Sequence, residues 1–522
     1  MTAPHSYFIP KDESCALLTL AERRALEARA VAALPPHTLM ARAGAAAAQC
    51  LIDIIKRDSK AREKAVWLAA GPGNNGGDAL VMAEQLHRAG VKVRVCMPVE
   101  VKPDDARRAL RSARAAGVPI DTDAPASFDD YHWLVDGLFG IGLTRPLEGV
   151  FASIVSRLTR HSRDKGRVLA LDVPSGLNSD TGAPVDGGEA VRANATITFI
   201  GAKPGHYTAE GRDLCGKLFV APIGVDAPAV PSIVLNAPSL FAACLLPRGN
   251  GTNKGTFGTL AVIGGDTGMC GAPVLAARMA LYGGAGKVNV AFLGEGFPPY
   301  DPPHPELMLH NVDDFRFEKM DALSIGCGMG KTDRAKAVLS NVLKLDVPKL
   351  LDADALNLVS KDDALAAAVS QRGAQGDPCI LTPHPLEAAR LLHFNEAKAV
   401  QADRFAAARQ LAARYTAVVV LKGSGTVIAS PDGRVAVNPT GNAGLATGGT
   451  GDVLGGLIGA LLAQKFPAYK AALAGVYLHG LAAQSLTDEG VGPAGLTAGE
   501  LPPEVRKLIN RLFYAKPATD AL

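Results

Sequence analysis

The chain is short of aromatic residues, of charge imbalance and of clustered cysteine, and each shortage removes a class of function. Phe, Trp and Tyr make up 5% of the 522 residues, and Lys+Arg number 54 against 51 Asp+Glu. With no aromatic platform interleaved among basic residues and no basic excess, nothing here forms the electrostatic footprint of a nucleic-acid binder. The eight cysteines, Cys15, Cys50, Cys96, Cys215, Cys244, Cys270, Cys327 and Cys379, include no C-x-x-C pair. A disulfide scaffold would be denser and a zinc site more closely spaced, so free thiols in a reducing compartment are expected. The segment Met1–Glu13 mixes Pro, His, Lys, Asp and Glu and lacks the apolar h-region of a secretion signal. The stretch Val453–Ala463, read as the most apolar, falls well below the roughly 20 residues that span a bilayer. The expectation is a soluble, cytoplasmic protein with neither membrane nor nucleic acid as partner; a homo-oligomer is compatible with it.

What is present is a long, apolar-rich alternation. Hydrophobic residues reach 48% and charged ones 20%, the balance of a folded chain of two large domains or about three ordinary ones. Short β-rich runs alternate with Ala-rich helical runs, which predicts an α/β fold with mostly parallel sheets. In the first half, strands are expected at 65–70, 91–97, 133–136, 168–172 and 196–200. Helices are expected over 20–55, broken at Pro35-Pro36, and over 79–89. Val225–Gly251 combines prolines, little periodicity and then basic and Gly-rich residues, and it is the linker candidate. Beyond it strands are expected at 259–263, 287–292, 323–325, 349–352, 380–382, 417–422, 426–429 and 435–438. The Gly-rich loops of the two halves differ in pattern, so they are two folds and not a duplication.

In the first half, the strand ending at Ala70 runs into Gly71-Pro72-Gly73-Asn74-Asn75-Gly76-Gly77-Asp78. This satisfies G-x-G-x-x-G, the weak signature of dinucleotide binding. Asp78 argues against that reading, because a carboxylate near the positive end of the next helix competes with a pyrophosphate. Asn74 and Asn75 instead offer amide oxygens to a hard cation or to sugar hydroxyls. Asp136-Gly137-Leu138-Phe139-Gly140-Ile141-Gly142 and Asp172-Val173-Pro174-Ser175-Gly176 each follow a further strand. Ligands of open parallel sheets bind beyond the carboxyl ends of the strands, so the three loops should converge on one crevice.

Together these segments resemble the YjeF N-terminal domain, NAD(P)H-hydrate epimerase, over roughly residues 15–225. The resemblance implies a Rossmann-like parallel-sheet domain, with Asn75, Asp136 and Ser175 holding a potassium ion (K+). It also implies that the hydrated nucleotide is contacted by Asn74, Asn75, Gly76, Gly77 and Asp78, by Gly140, Ile141, Gly142, Leu143, Thr144, Arg145 and Pro146, and by Asp172. Ala79 stands where the family usually has another Gly. Asp172 is the candidate acid/base for releasing and returning water at the hydrate's hemiaminal carbon, a role that calls for a pKa raised by partial burial.

In the second half, Asn442-Ala443-Gly444-Leu445-Ala446-Thr447-Gly448-Gly449-Thr450-Gly451-Asp452 precedes an apolar helix. Such a row of main-chain N–H donors before a helix suits a phosphate, and an Asp just inside the helix can take a proton from an attacking hydroxyl. No Lys follows the glycines, so this is not a Walker A loop. Lys422-Gly423-Ser424-Gly425-Thr426 joins two β runs, Thr382–Glu387 follows a strand, and Asp352-Ala353-Asp354 is a carboxylate pair that would help organise magnesium. This constellation resembles the YjeF C-terminal domain, the ADP-dependent NAD(P)H-hydrate dehydratase with a ribokinase-like α/β fold, over roughly residues 240–510. By that resemblance Lys422, Gly423, Ser424, Gly425, Thr426 and Gly451 bind the adenine nucleotide. Ala272, Gly328, His384 and Asp452 contact the hydrate, Asp452 is catalytic, and Mg2+ and ADP are required. Asn253, Cys327 and Leu386 depart from the usual His, Pro and Gly, and Leu386 would crowd the pocket beside His384.

The expected organisation is therefore an epimerase domain over residues 1–228, a linker over 229–250 and a dehydratase domain over 251–522. The expected function is repair of hydrated NADH and NADPH (NADHX and NADPHX) with ADP as phosphoryl donor. The competing reading is a vitamin or sugar kinase of the ribokinase superfamily with a non-catalytic N-terminal binding domain.

Overall fold

The computed structural model describes residues 12–57 and 65–514, so most of the expectation for Met1–Glu13 lies outside the described residues. The chain divides into two compact units, one of residues 15–234 and one of residues 235–514 together with residues 12–14.

The first unit holds β1 (Ala65–Ala70), β2 (Val93–Cys96), β3 (Ile120–Asp121), β4 (Tyr131–Gly137), β5 (Val168–Leu171), β6 (Ala195–Phe199) and β7 (Lys217–Ala221). Its helices are α1 (Leu20–Ala33), α2 (Thr38–Lys56), α3 (Asn74–Arg88), α4 (Asp104–Ala115), α5 (Gly149–Lys165) and the single turn α6 (Gly211–Leu214). The sheet runs β3-β2-β1-β4-β5-β6-β7 and every pairing is parallel. Strand order reverses between β1 and β4, which makes the gap between their carboxyl ends the natural ligand crevice. Alternation along β1 sends Val66, Leu68 and Ala70 into one core with α2–α4, and Trp67 and Ala69 into a second core with α5. Helices thus cover both faces, the doubly wound α/β arrangement expected.

Local chemistry sets the helix starts. A reciprocal Thr19–Glu22 capping box opens α1, and Pro35-Pro36 keeps α1 and α2 apart. The helix α3 begins at Asn74, earlier than the expected 79, so Asn74–Asp78 is its first turn and not a free loop. Among the described residues α2 alone is long and apolar enough to cross a membrane by length and composition, exceeding Val453–Ala463 in this respect. Its Met40, Ala43, Ala47, Ala48 and Leu51 recur at helical spacing and pack into the core instead.

The second unit holds β8 (Val234–Leu235, at its boundary), β9 (Thr259–Gly264), β10 (Lys287–Phe292), β11 (Met308–Asn311), β12 (Ala322–Ile325), β13 (Lys349–Leu351), β14 (Ile380–Leu381), β15 (Val418–Leu421), β16 (Val427–Ala429) and β17 (Val435–Val437). The helices are α7 (Gly271–Tyr282), α8 (Asp333–Leu343), α9 (Ala353–Val359), α10 (Asp363–Ala374), α11 (Pro385–Leu392), α12 (Ala397–Ala402), α13 (Arg404–Tyr415), α14 (Thr450–Ala463), α15 (Ala468–Asp488) and α16 (Leu501–Ile509). The sheet order is β11-β10-β9-β12-β13-β14-β15-β16-β17-β8. It is parallel from β11 to β15 and antiparallel through β16 and β17. Order reverses again between β9 and β12, the kind of switch point beside which ligands of open parallel sheets bind. Apolar on all sides, α14 is buried along nearly its whole length.

Four strands were not anticipated: β3, β7, β8 and β11. Two of them, β3 and β8, are only two residues long, too short to show alternation. Part of the stretch 229–250 expected as linker has structure of its own. There β8 forms the sheet edge, the Asn236 N–H donates to the Val437 carbonyl at 2.8 Å, and Phe241 is buried.

Candidate active sites

In the first unit a cavity of about 710 Å³ opens at the carboxyl edge of β1, β4, β5 and β6. Its walls include Asn74, Asn75 and Asp78 from α3, Phe139–Leu143 after β4, Asp172 after β5, and Arg23, Arg24 and Glu27 from α1. Of the residues expected around the ligand, Asn74, Asn75, Asp78, Gly140, Ile141, Gly142, Leu143 and Asp172 line it. Gly76 and Gly77 serve packing: a Cβ on Gly76 would lie 1.9 Å from the Gly71 carbonyl oxygen, and one on Gly77 would lie 2.5 Å from Met40 Cε. Thr144, Arg145 and Pro146 are not part of this lining.

Asp136 is fully buried at the end of β4 and accepts from the Ser175 hydroxyl (2.6 Å), the Ser175 N–H (2.8 Å) and the Leu138 N–H (3.2 Å). Burial raises its pKa to about 6 despite these donors. Beside them the Asn75 side chain is buried, and neither its oxygen nor its nitrogen has a hydrogen-bond partner. A Cβ on Gly140 would lie 3.4 Å from Asp172 Oδ2 and 3.6 Å from Asn75 Oδ1, so both oxygens edge the same small space. An orphaned buried amide oxygen needs an external partner.

Asp172 departs from expectation. It is buried at a left-handed φ of 66°, and its Oδ1 accepts from the Lys203 ammonium and, at 3.0 Å, from the Thr198 hydroxyl. Arg23 stands 3.8 Å from its Oδ2. Burial alone would raise the pKa, but Lys203 and Arg23 outweigh it and hold the carboxyl below the usual carboxylate range. The raised pKa expected for Asp172 is therefore not found, because the sequence reading lacked its cationic partners. The raised pKa falls instead on Asp78, which burial and the neighbouring charge of Asp172 push well above the usual carboxylate range. Lys203 was missed, although Gly201-Ala202-Lys203-Pro204-Gly205 directly follows β6 at the same edge and was the available signal.

The second unit gathers its expected residues at strand ends. Asp352 follows β13 and caps α9, accepting from the Ala353 N–H at 2.8 Å. Lys422, after β15, donates to Asp352 Oδ1 at 2.8 Å. The first turn of α14 passes over this pair: a Cβ on Gly451 would lie 3.5 Å from Lys422 Nζ and 3.9 Å from Asp352 Oδ2. Asp452, in that turn, has its pKa raised to about 6 by burial and by Asp352, against the pull of Lys422. Glu387 is raised to about 7, first by burial and then by Asp352. Gly328 and Ala272 are neighbours: a Cβ on Gly328 would lie 3.5 Å from that of Ala272.

Three expectations shift here. His384 caps α11, its Nδ1 accepting from the Leu386 and Glu387 N–H groups at 3.1 and 3.3 Å, so much of its hydrogen-bonding capacity is spent locally. The Leu386 side chain is exposed, away from any crowding of a buried pocket. Asp352 and Asp354 do not form a magnesium cage: the first is paired with Lys422, and the second accepts from the Gly330 N–H at 3.0 Å and neighbours Lys331. Among the described residues no group of three His, Cys, Asp or Glu is placed to hold a metal ion. Arg404 was missed altogether. Fully buried, it donates to the Leu421 and Lys422 carbonyls at 3.1 and 3.3 Å and so pins the start of the loop Lys422–Thr426.

Comparison with known proteins covers both units. The family model described as YjeF-related protein N-terminus matches residues 36–205, and the one described as NAD(P)H-hydrate dehydratase matches residues 260–502. The bifunctional NAD(P)H-hydrate repair enzyme Nnr of Coxiella burnetii is 39% identical over 499 residues, covering 93% of this chain and 98% of that protein. The ADP-dependent (S)-NAD(P)H-hydrate dehydratase of Neisseria meningitidis is 48% identical over 283 residues, 53% of this chain and 92% of its own length. A solved ADP/ATP-dependent NAD(P)H-hydrate dehydratase from Bacillus subtilis, co-crystallised with ATP/Mg2+, is 34% identical with a TM-score of 0.45, covering 52% of this chain and 95% of that one.

Proposed function

This chain belongs to the bifunctional NAD(P)H-hydrate repair enzymes, and we propose that each of its two units carries one half of the repair. The first interconverts the R and S epimers of hydrated NADH and NADPH; the second dehydrates the S form at the expense of ADP. The observation that carries this reading recurs in both units: a lysine–aspartate ion pair at the strand ends beside a second carboxylate of raised pKa. In the first unit the surroundings drive the pKa values of Asp172 and Asp78 apart, which marks an acid/base assignment.

In the epimerase cavity Asp78 donates its proton to the hydrate's hydroxyl as the carbon–oxygen bond breaks. The ring nitrogen lone pair fills in, and the cation forms beside ionised Asp172. Water then adds to the opposite face and gives up a proton to solvent, from which Asp78 is reprotonated, so the enzyme is regenerated and only stereochemistry changes. Asn75, Asp136 and Ser175 fit a potassium ion, since Asn75 supplies an unpartnered oxygen and Asp136 a buried charge. Such an ion, when bound, supplies fixed positive charge that orients oxygen ligands.

In the dehydratase site Asp452 takes the proton of the hydrate hydroxyl while that oxygen attacks the terminal phosphorus of ADP, releasing AMP. Phosphate is a far better leaving group than hydroxide. Ring nitrogen expels it, and loss of the adjacent ring proton restores the dihydronicotinamide. Main-chain N–H groups at the start of α14 and the Lys422–Thr426 loop face the developing phosphoryl charge. With Asp352 and Asp354 already engaged, Mg2+ would come with the nucleotide's phosphates, screening their charge.

The eight cysteines are free, which supports a reducing, cytoplasmic location. A sugar or vitamin kinase with a silent N-terminal module is not favoured, because relatives named as bifunctional repair enzymes span both halves. The test is to give the purified protein hydrated NADH of mixed stereochemistry with ADP, then with ATP. Complete recovery of NADH with ADP is expected. Recovery stopping at the S fraction removes the epimerase assignment, and no recovery removes the dehydratase assignment, leaving the epimerase to be read by exchange between the R and S forms.

A further inference from the structure

We propose that Lys203 is the positioning residue of the epimerase site: anchored beneath the cavity by Thr198 and the Phe199 carbonyl, its ammonium fixes the Asp172 carboxylate in the orientation the reaction uses. The proposal rests on Asp172 acting as the anionic partner of the reaction.

Lys203 is 0% exposed, and no part of it reaches the cavity lining. Its ammonium has three partners, all converging on one place: Asp172 Oδ1, Thr198 Oγ1 and, at 3.1 Å, the Phe199 carbonyl oxygen. Thr198 also donates to Asp172 Oδ1 at 3.0 Å, closing a triangle that leaves Oδ2 turned toward Gly140 and the cavity. His206 holds the other side of the frame. Its Nε2 lies 3.1 Å from the Asp172 carbonyl oxygen, and its Nδ1 accepts from the Lys203 N–H at 3.2 Å. Asp172 thus has its carboxylate and its strained, left-handed backbone gripped by one short segment, Lys203–His206. A lysine buried away from ligand, with all its hydrogen bonds spent on one functional carboxylate and its supports, is more than a generic core contact. Buried cations are costly unless their geometry is fully satisfied. The groups facing Asp172 are Lys203 and His206 from this segment, Arg23 from α1 and Asp78 from α3; Glu27, also on α1, neighbours Asp78 and Lys203. Of the cations, Arg23 is the one that lines the cavity and contacts the opposite oxygen, so it cannot replace the anchor on Oδ1.

The test uses the full-length protein and an epimerisation assay that follows decay of the R form. Lys203→Met is expected to lower kcat by roughly 10- to 100-fold, the scale of misplacing a reacting group by about 1 Å, while KM stays within about twofold. In an Asp172→Asn background, already impaired, Lys203→Met should cost almost nothing further, since its target has gone. Full kcat in Lys203→Met, or losses that multiply in the double variant, overturns the proposal. Should Lys203→Met fail to fold, Thr198→Val decides. It keeps the ion pair and removes the hydroxyl from the triangle, and a severalfold loss in kcat at constant KM is expected, against none if positioning is irrelevant. If Asp172→Asn alone epimerises at the normal rate, the underlying reading of the site fails, an outcome distinct from failure of Lys203.

Discussion

In the first unit the aspartate of the lysine–aspartate pair faces the cavity, whereas in the second the pair stands behind the reacting carboxylate. Lys203 is sealed off and serves Asp172 with Thr198 and a carbonyl. Lys422 is shared: it bonds Asp352 and sits near Glu387 and Asp452 as well. Lys203 hydrogen-bonds one carboxylate, Asp172, whose charge together with burial raises the pKa of Asp78. Lys422 spreads its charge over several carboxylates, and the pKa of Asp452 rises to about 6. On the proposed reading, the same two residue types support an acid in one site and a base in the other, and the difference lies in how each lysine is held. For general acid/base work that difference matters more than which residues are present.

The comparison breaks most sharply at Asp452. Asp452→Asn removes the base of the second site alone, and dehydration should fall by about 10²- to 10⁴-fold. ADP binding, read by calorimetry, should persist, and epimerisation should be untouched. Dehydration at the normal rate in this variant removes Asp452 from the mechanism.

Next comes pH, where the two sites should fail in opposite directions. The dehydratase needs Asp452 ionised, so as pH falls through about 6 the base is lost and kcat/KM drops roughly tenfold per unit. The epimerase needs Asp78 protonated, and because burial and Asp172 raise that pKa, its rate should fall as pH rises through the shifted value. Asp172 adds no acid limb in the working range, because Lys203 and Arg23 keep it ionised despite burial. Separate pH–rate profiles for epimer exchange and for dehydration of the pure S form would show this. Limbs of the same sign would mean that the lysines do not set the two sites apart.

Much of this was legible in the chain because strand-end loops advertise themselves. Asn74–Asp78, Asp136–Gly142, Lys422–Thr426 and Asn442–Asp452 each abut a strand or helix with polar or Gly-rich residues, and parallel-sheet topology brings such ends together. What stayed hidden was pairing. Lys203 reads as one basic residue in a Gly-Pro loop, and nothing local says that it reaches back to Asp172, 31 positions away. That contact reverses the expected direction of the Asp172 shift. Arg404 opens a helix and looks like any solvated residue until the fold buries it against Lys422. Boundaries also slipped where helix and loop share composition: Gly76 and Gly77 look like loop glycines, yet they lie inside α3 because Gly71 and Met40 pack against them.

Arg404→Met tests whether the shared lysine needs its support. It strips donors from the Leu421 and Lys422 carbonyls, which costs about 1–3 kcal/mol of stability when buried acceptors are left unmatched. With the Lys422–Thr426 loop loosened, the Kd for ADP should rise roughly tenfold, the equivalent of about 1.4 kcal/mol. Thermal unfolding and calorimetric titration check the two effects. Unchanged Kd would place the nucleotide away from this loop.

The mildest change probes the space that the first site keeps open. Gly140 has a Cβ position 3.4 Å from Asp172 Oδ2 and 3.6 Å from Asn75 Oδ1, distances of ordinary contact, so Gly140→Ala displaces neither oxygen. The added methyl does occupy the room between them, where the hydrate or a cation would sit. Overpacking of this kind costs about 1 kcal/mol at its low end, which corresponds to a rise of roughly fivefold in KM for epimerisation with kcat held. Initial-rate measurements would separate the two parameters. A fall in kcat instead would mean that the methyl has moved Asp172, and the comparison would sharpen again: the first site would depend on the placement of its anion.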